Sequence, residues 1–234
     1  PSPDFAFLED NGNPNDGMLR LRSGDGGFEQ TDFTAPTNSL TINGLGGSDS
    51  LNISMLPQDP IPTGGLTING GEGNDQLAIL DGTVSNVTHL LDGIGDGSIL
   101  QNGKALHYTG ITASIFDNRS AQTVQFDIQI PNVTTIFGDD TFNVDNFSRL
   151  TFGGPQIDFS NPITMTINGS NGNDSFQIDS FDPGLNSSLF FNGREGVDTL
   201  LFNGTDGNDA FQIDPTPTGF EIFRNAKKGS FSGL

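Results

Sequence analysis

The chain has 234 residues, no cysteine and a formal net charge of −20, from 29 acidic and nine basic side chains. So few basic residues cannot neutralise many phosphates, which argues against nucleic acid as a direct partner and against binding to anionic membranes. Disulfides and thiolate metal sites are excluded, and no apolar run is long enough for direct membrane insertion.

The residue pattern predicts short strands rather than helices. The 32 glycines and 13 prolines interrupt the chain too often for long helices. Leu40 and Ile42 fall on one face of an alternating segment, and residues 123–130 alternate over eight positions. Twenty phenylalanines and this alternation favour a narrow buried core over disorder. The period-two spacing predicts that these side chains face inward: Ile42, Leu51, Ile53, Ile68, Leu77, Ile79, Ile167, Phe176, Ile178, Leu200, Phe211 and Ile213.

One motif recurs five times, a short strand followed by Asn-Gly-x-x-Gly-x-Asp and a second short strand. The copies begin at Asn43, Asn69, Asn168, Asn192 and Asn203. They end at Asp49, Asp75, Asp174, Asp198 and Asp209. A strand–turn–strand unit copied along a chain is typical of repeat architectures rather than of catalytic domains.

The motifs belong to a longer duplication. Residues 66–70 resemble residues 189–193, and residues 108–111 resemble residues 231–234, both at an offset of 123. Upstream the offset drifts to 125 or 126. We therefore expect two tandem β-repeat modules, residues 1–111 and 125–234, joined by a connecting strand segment over 112–124. Both ends of the chain look like cuts in a longer array.

The motif spacing predicts an all-β fold, most simply a parallel β-solenoid built from the two modules. Consecutive motifs lie 26 residues apart between Asp49 and Asp75 and 24 apart between Asp174 and Asp198, which suits one coil of a three-sided solenoid. The asparagine before each glycine would then stack from coil to coil and form side-chain bonds. The alternative is a pair of β-sandwich modules, in which the motifs close ordinary hairpins.

Residues 70–78, Gly-Gly-Glu-Gly-Asn-Asp-Gln-Leu-Ala, fit the calcium-binding nonapeptide G-G-x-G-x-D-x-U-x in full. On these residues the chain resembles the haemolysin-type (RTX-like) calcium-binding repeats and, more broadly, the large β-strand-repeat surface proteins of environmental bacteria. The resemblance implies a secreted or cell-surface repeat protein, often with bound calcium. It departs from the family pattern because the motifs are isolated by a coil's length, and Gly71 is replaced by Ser170, Arg194 and Thr205 in other copies.

The motif aspartates have two interpretations. As metal ligands for Ca²⁺, the candidates are Asp49, Asp75, Asp174, Asp198 and Asp209, since calcium requires six to eight oxygen ligands. As turn residues, the same carboxylates would accept backbone N–H bonds and hold the glycine-rich loops.

No other residues predict catalysis. His89 and His107 lie in no metal-spaced or triad-like context, and we expect both on a surface or strand face. The pair Asp139 and Asp140 could serve glycoside cleavage, as in polysaccharide-degrading β-helices, but with 29 acids such neighbours arise by chance. The chain is therefore not expected to be an enzyme, and a β-helix polysaccharide-degrading enzyme is the remote alternative.

Together these patterns predict an extracellular structural repeat protein, secreted or on the cell surface, that forms part of a fibre, surface layer or matrix filament. The expected partners are other copies of the chain, with polysaccharide or the cell surface as further candidates. The join is expected to place residues 231–234 next to residues 5–8 or 18–21, the apolar stretches nearest the two ends. The alternative function is a calcium-dependent adhesin stalk that acts as a spacer.

Overall fold

The computed structural model describes residues 2–141, 145–182, 184–204, 207–216, 219–224 and 227–232, and mainly the backbone in the last three strands. These residues form strands without helices, so the predicted all-β class is confirmed. The strands of the first half are β1 (Phe5–Asp10), β2 (Met18–Ser23), β3 (Thr31–Thr34), β4 (Leu40–Asn43), β5 (Ser50–Ser54), β6 (Leu66–Asn69), β7 (Gln76–Leu80), β8 (Thr83–Gly93), β9 (Asp96–Gln101) and β10 (Lys104–Thr109).

The remaining strands are β11 (Ser114–Asp117), β12 (Ser120–Ile128), β13 (Thr134–Asp139), β14 (Phe147–Thr151), β15 (Gln156–Ser160), β16 (Thr164–Asn168), β17 (Ser175–Ile178), β18 (Ser188–Asn192), β19 (Thr199–Phe202), β20 (Phe211–Thr216), β21 (Gly219–Arg224) and β22 (Lys227–Ser232). No helix among the described residues has the length and apolar content needed to cross a membrane.

The strands form two sheets of 11 strands each. We call them sheet A, in the order β19-β17-β13-β14-β15-β11-β7-β5-β1-β2-β3, and sheet B, in the order β20-β21-β22-β18-β16-β12-β8-β9-β10-β6-β4. From β4 to β8 and again from β15 to β20 the chain alternates between the sheets. Within these stretches the pairs β4–β6, β5–β7, β16–β18 and β17–β19 are parallel and in register, as where Ile42 of β4 lies opposite Ile68 of β6.

The core lies between the two sheets. Buried apolar side chains from both sheets form one hydrophobic cluster. Rings cross the interface, with Phe126 of sheet B 5.0 Å from Phe159 of sheet A and Phe176 of sheet A 5.9 Å from Phe191 of sheet B. The alternation that defines each strand therefore also selects the side chains that are removed from water.

Most of the predicted inward side chains are buried. Those at positions 51, 53, 68, 77, 79, 167, 176 and 178 belong to the core, whereas Ile42 and Leu200 are half-buried against it. Phe211 is an exception, because β20 is an edge strand and the ring is 48% exposed. The side chain of Ile213 lies outside the described part of the structure.

The expectation of purely parallel pairing is wrong for part of each sheet. β1–β2–β3 and β8–β9–β10 run antiparallel through short turns, and so do β13–β14–β15 and β20–β21–β22. The β-sandwich alternative predicted that the motifs close hairpins, and this prediction is also wrong. The Asn-Gly turns do not close hairpins, because the strands on either side of each turn belong to different sheets.

The strand pairing of the first half is repeated in the second half. In both sheets β1–β10 pair among themselves as β13–β22 do. Tyr108 of β10 lies opposite Ile68 of β6, and 123 residues later Phe231 of β22 lies opposite Phe191 of β18. The register thus agrees with the predicted duplication. The predicted boundary at 124/125 falls inside β12, and the division into separate modules stays a prediction.

Candidate functional site

Four of the five Asn-Gly turns, those that follow β4, β6, β16 and β18, lie along one border of the two sheets, and their asparagines form two short ladders. Asn69 Nδ2 donates to Asn43 Oδ1 at 2.5 Å, and Asn192 Nδ2 donates to Asn168 Oδ1 at 3.5 Å. Thr109 Oγ1 extends the first ladder by donating to Asn69 Oδ1 at 2.9 Å. The predicted bonding of asparagines from turn to turn is therefore confirmed for these two pairs. It is wrong for Asn203, which follows β19 at the opposite border and donates to Asp179 Oδ1 at 2.6 Å.

Three motif aspartates bond a neighbouring layer of the stack. Asp75 Oδ1 accepts a bond from the backbone N–H of Asp49 at 2.7 Å, and Asp49 Oδ1 accepts one from Asp4 N–H at 2.8 Å. In the second half, Asp198 Oδ1 accepts from Asp174 N–H at 2.8 Å. These charge-assisted bonds connect residues distant in sequence, so the aspartates hold neighbouring layers of the stack together.

Glycines make room for these carboxylates. A Cβ atom at Gly44 would lie 2.5 Å from Asp49 Oδ2, and one at Gly70 would lie 2.6 Å from Asp75 Oδ2. The first glycine and the aspartate of the motif are therefore needed together. The fifth copy shows the same arrangement in its described residues, since a Cβ at Gly204 would lie 2.8 Å from Asp209 Oδ2.

The second carboxylate oxygens are less well satisfied. Within the described residues, Asp49 Oδ2, Asp75 Oδ2 and Asp198 Oδ2 are buried and accept no hydrogen bond. Asp75 as a whole is 1% exposed. Since one oxygen of each side chain already holds a backbone N–H, the observed contacts are those of a turn residue. Calcium binding at the five aspartates stays a prediction.

The turn role of Asp75 can be tested with two substitutions. Asp75→Ala leaves the buried N–H of Asp49 without an acceptor, and we expect it to lower the free energy of unfolding by about 2 kcal/mol. Asp75→Asn keeps an acceptor at Oδ1 and should cost less than about 1 kcal/mol. Urea unfolding at neutral pH without divalent ions measures both. Equal losses in the two variants would argue against the turn role.

A separate group of carboxylates forms at the ends of β13 and β17. Asp139, Asp145 and Asp182 each present a ligand atom, and these atoms lie within 4.8 Å of one another. Asp182 is fully buried and is positioned by Gly184 N–H, which donates to its Oδ1 at 2.9 Å, and by Asn161, which donates to its Oδ2 at 2.5 Å. Three clustered carboxylates supply the hard oxygen ligands that Ca²⁺ requires.

The nearby carboxylates change the pKa of Asp140. Partial burial, and then the charges of Asp145, Asp158 and Asp139, raise the pKa of Asp140 above its ordinary value. The sequence pointed to Asp139 and Asp140 as adjacent acids only. Strand pairing adds Asp182, which is 43 residues from Asp139.

A buried charged group lies where the two halves join. The Arg119 guanidinium donates to both oxygens of Asp117, with Nε–Oδ1 at 2.7 Å and Nη2–Oδ2 at 2.5 Å. His89 Nε2 lies 3.2 Å from Asp117 Oδ2, and the His89 ring stacks on Phe126 with centroids 5.0 Å apart. Burial raises the pKa of Asp117, but the charge and hydrogen bonds of Arg119, together with His89, outweigh burial and hold that pKa well below its usual range.

The sequence interpretation of His89 needs a correction. It lies on a strand face, as expected, but that face is the buried one, and the residue is 0% exposed. A signal was present, because His89 is in phase with the apolar Val87 and Leu91 of the same strand. By contrast, His107 is exposed and its Nδ1 lies 2.8 Å from Ser98 Oγ.

The unpaired sheet edges are the other candidate functional feature. Among the described strands, these are β3 and β4 at one end of the sheets and β19 and β20 at the other. β4 reads Leu-Thr-Ile-Asn and β19 reads Thr-Leu-Leu-Phe, without a charged residue in either. Natural edge strands are commonly protected by charges, proline or bulges, so these two edges are suited to strand addition.

The edges differ from those that the sequence suggested. The predicted join used residues 231–234, 5–8 and 18–21. However, β22, β1 and β2 each have neighbours on both sides, so their ladder groups are already used. That join is wrong in its described strands, and Gly233 and Leu234 lie outside the described residues.

Comparison with known proteins identifies no relative: no family model, no curated protein and no solved structure matches the chain. The resemblance to calcium-binding repeats therefore stays a prediction.

Proposed function

We propose that the chain is a segment of an extracellular, non-enzymatic β-solenoid that builds a fibre, surface layer or matrix filament. The observation that carries the proposal is the repetition of one strand-pairing scheme along two continuous sheets that end in unpaired edges. A scheme that has been repeated once without a break in either sheet can be repeated again by the same contacts.

The mechanism is geometric. Strands about 4.8 Å apart make each sheet of 11 strands roughly 50 Å long, with the stacked turns on its border. Contacts that join unlike ends and do not close produce filaments. Secretion to the cell surface and a structural rather than catalytic role are part of this proposal. Its support is the motif pattern and the use of the motif aspartates in backbone bonds.

Electron microscopy of the purified chain tests assembly. We expect rods that associate end to end at high protein concentration, because the β4 and β19 edges carry no charge and can pair once repulsion from the net charge of −20 is screened by salt. A chain that stays monomeric at high concentration, in salt and with calcium present, contradicts the filament.

The second candidate function is a calcium-dependent adhesin stalk, and the grouping of Asp139, Asp145 and Asp182 favours it. An ion bound only by the folded chain raises the melting temperature by mass action. We expect a higher melting temperature in calcium than in chelator, and a larger rise than in magnesium at equal ionic strength. Differential scanning calorimetry measures this shift.

Two variants locate the ion. Asp145→Asn removes the exposed carboxylate of the group and should abolish the calcium shift, and Asp16→Asn is its control. Asp16 is also exposed and lies just before β2. Its Oδ1 accepts a bond from the N–H of Met18, as Asp145 Oδ1 accepts one from the N–H of Phe147. A calcium shift that Asp145→Asn leaves intact but Asp75→Asn removes would instead assign the ion to the turns. No calcium-specific shift would argue against the stalk.

A further inference from the structure

The junction between the two halves is built by one pair of strands. In sheet A, β11 lies between β7 and β15, and in sheet B, β12 lies between β8 and β16, with all four pairings parallel. Val124 lies opposite Met165, and Phe126 lies opposite Ile167. The halves therefore do not contact each other edge to edge, because this strand pair is inserted between them in both sheets.

The free end at β3 and β4 is the first half's copy of a surface that is covered in the second half. β3 corresponds to β15 and β4 to β16, as the common neighbours of these strands show. Ile167 of β16, which pairs with β12, is 0% exposed, whereas its copy Ile42 in β4 is only half-buried. In the same way Phe159 of β15 is 1% exposed and its copy Phe33 is half-buried.

An apolar cavity lies beside this end. It has a volume of about 190 Å³, and Ala6, Leu21, Phe28 and Ile42 are among its lining residues. Leu21 is half-buried, whereas its copy in β14, Leu150, is fully buried. The end therefore exposes apolar surface at positions that the second half covers.

We propose that the β3–β4 end is a docking surface for a two-stranded segment of the β11–β12 type, supplied by a further repeat of this kind and added in parallel to both edges. The proposal rests on the proposed function, because it assumes that the repeat scheme continues. The β12-type strand would place valine and phenylalanine opposite Leu40 and Ile42, as Val124 and Phe126 lie opposite Met165 and Ile167.

The backbone groups at the edge of β4 support docking of the same two-stranded segment. Within the described residues β4 pairs only with β6, so its outer edge has N–H and C=O groups available, and no charge on the strand opposes a neighbour. The covered copy, β16, accepts β12 over five residue pairs, from Thr164 to Asn168. A strand with apolar residues at alternate positions therefore satisfies both the backbone ladder and the exposed face.

An N-terminal extension tests the docking surface at protein concentrations too low for assembly. Residues 112–129 placed directly before Pro1 keep the internal spacing, because five residues separate Ile128 from Thr134 and five would separate the added strand from Phe5. In the control extension, Val124→Ser and Phe126→Ser remove the apolar face of the added strand. Hydrogen exchange of the Leu40–Asn43 amides and the melting temperature are measured in both chains.

With the native extension, we expect these amides to exchange at least about tenfold more slowly than with the control, together with a higher melting temperature. Equal exchange in two folded chains would overturn the proposal. Should the extension prevent folding, the unaltered chain mixed with a synthetic peptide of residues 112–129 replaces it. Protection of Leu40–Asn43 by this peptide, and not by its serine variant, supports docking, and no difference between the peptides overturns it.

The result is independent of the assembly test. Protection of β4 in an extended chain that never forms filaments would keep the docking surface and reject the filament. Filaments of the unaltered chain, without protection by either the extension or the peptide, would keep the filament and reject this occupant.

Discussion

Arg119→Ala is expected to lower the free energy of unfolding by about 3–5 kcal/mol, the usual cost of leaving one partner of a buried ion pair without the other. Arg119 and Asp117 are 2% and 4% exposed, and the guanidinium binds both oxygens of the carboxylate. The variant leaves Asp117 between the sheets without the guanidinium, and the Nε2 atom of His89 lies 3.2 Å from its Oδ2. Urea unfolding at pH 7 measures the loss.

The loss should depend on pH in one direction. Because the folded-state pKa of Asp117 lies below its unfolded value of about 3.8, the ion pair contributes stability that is fully present above pH 4 to 5. That contribution disappears as the pH falls towards the folded-state pKa. The difference between the native chain and Arg119→Ala should therefore be largest near neutral pH and shrink below pH 4.

Arg149→Ala is the matched control. Arg149 forms the same two-bond contact with Asp158, but its side chain is 30% exposed, and pairs near the surface contribute only about 0–1 kcal/mol. A rescue variant that replaces both partners, Asp117→Leu with Arg119→Met, should recover much of the loss, since apolar residues of similar volume can substitute for a buried pair. Equal losses at Arg119 and Arg149 would show that the pair at the junction is not effectively buried.

The sequence predicted those parts of the fold that depend on local periodicity. Leu77 and Ile79 alternate in phase with burial, and Asn43 and Asn69 fall at the same point of their two stacked turns. The antiparallel sets were missed because alternation reports which face of a strand is buried and carries no information about the direction of its neighbour. β9 and β10, for example, pair antiparallel with each other.

The candidate site was predictable only where its residues are close in sequence. Asp75 and Gly70 lie within one turn, so their mutual fit follows from the motif. Asp182 joins Asp139 only through the parallel pairing of β13 with β17. Likewise, the unpaired edge of β4 depends on sheet order rather than on the strand's own four residues.

Gly71→Ala is expected to lower the free energy of unfolding by about 3 kcal/mol, through a clash added to backbone strain. A Cβ atom at Gly71 would lie 2.3 Å from the carbonyl oxygen of Leu45, in the neighbouring turn. That oxygen already accepts a bond from Glu72 N–H at 3.0 Å, so it cannot move away without breaking the contact between the turns. Urea unfolding and hydrogen exchange across residues 43–49 measure the loss and its location.

Gly12→Ala separates the clash from the strain. Gly12 has the same φ of 99° as Gly71, but a Cβ added there meets no atom within 4 Å, so only the strain of about 1 kcal/mol is expected. The motif itself supports this separation. Leu45 and Arg194 occupy the position of Gly71 in other copies with φ values of 72° and 68°, so a left-handed backbone there does not by itself require glycine. The requirement at Gly71 comes from the close stacking of one turn on the next, and equal losses in Gly71→Ala and Gly12→Ala would contradict that stacking.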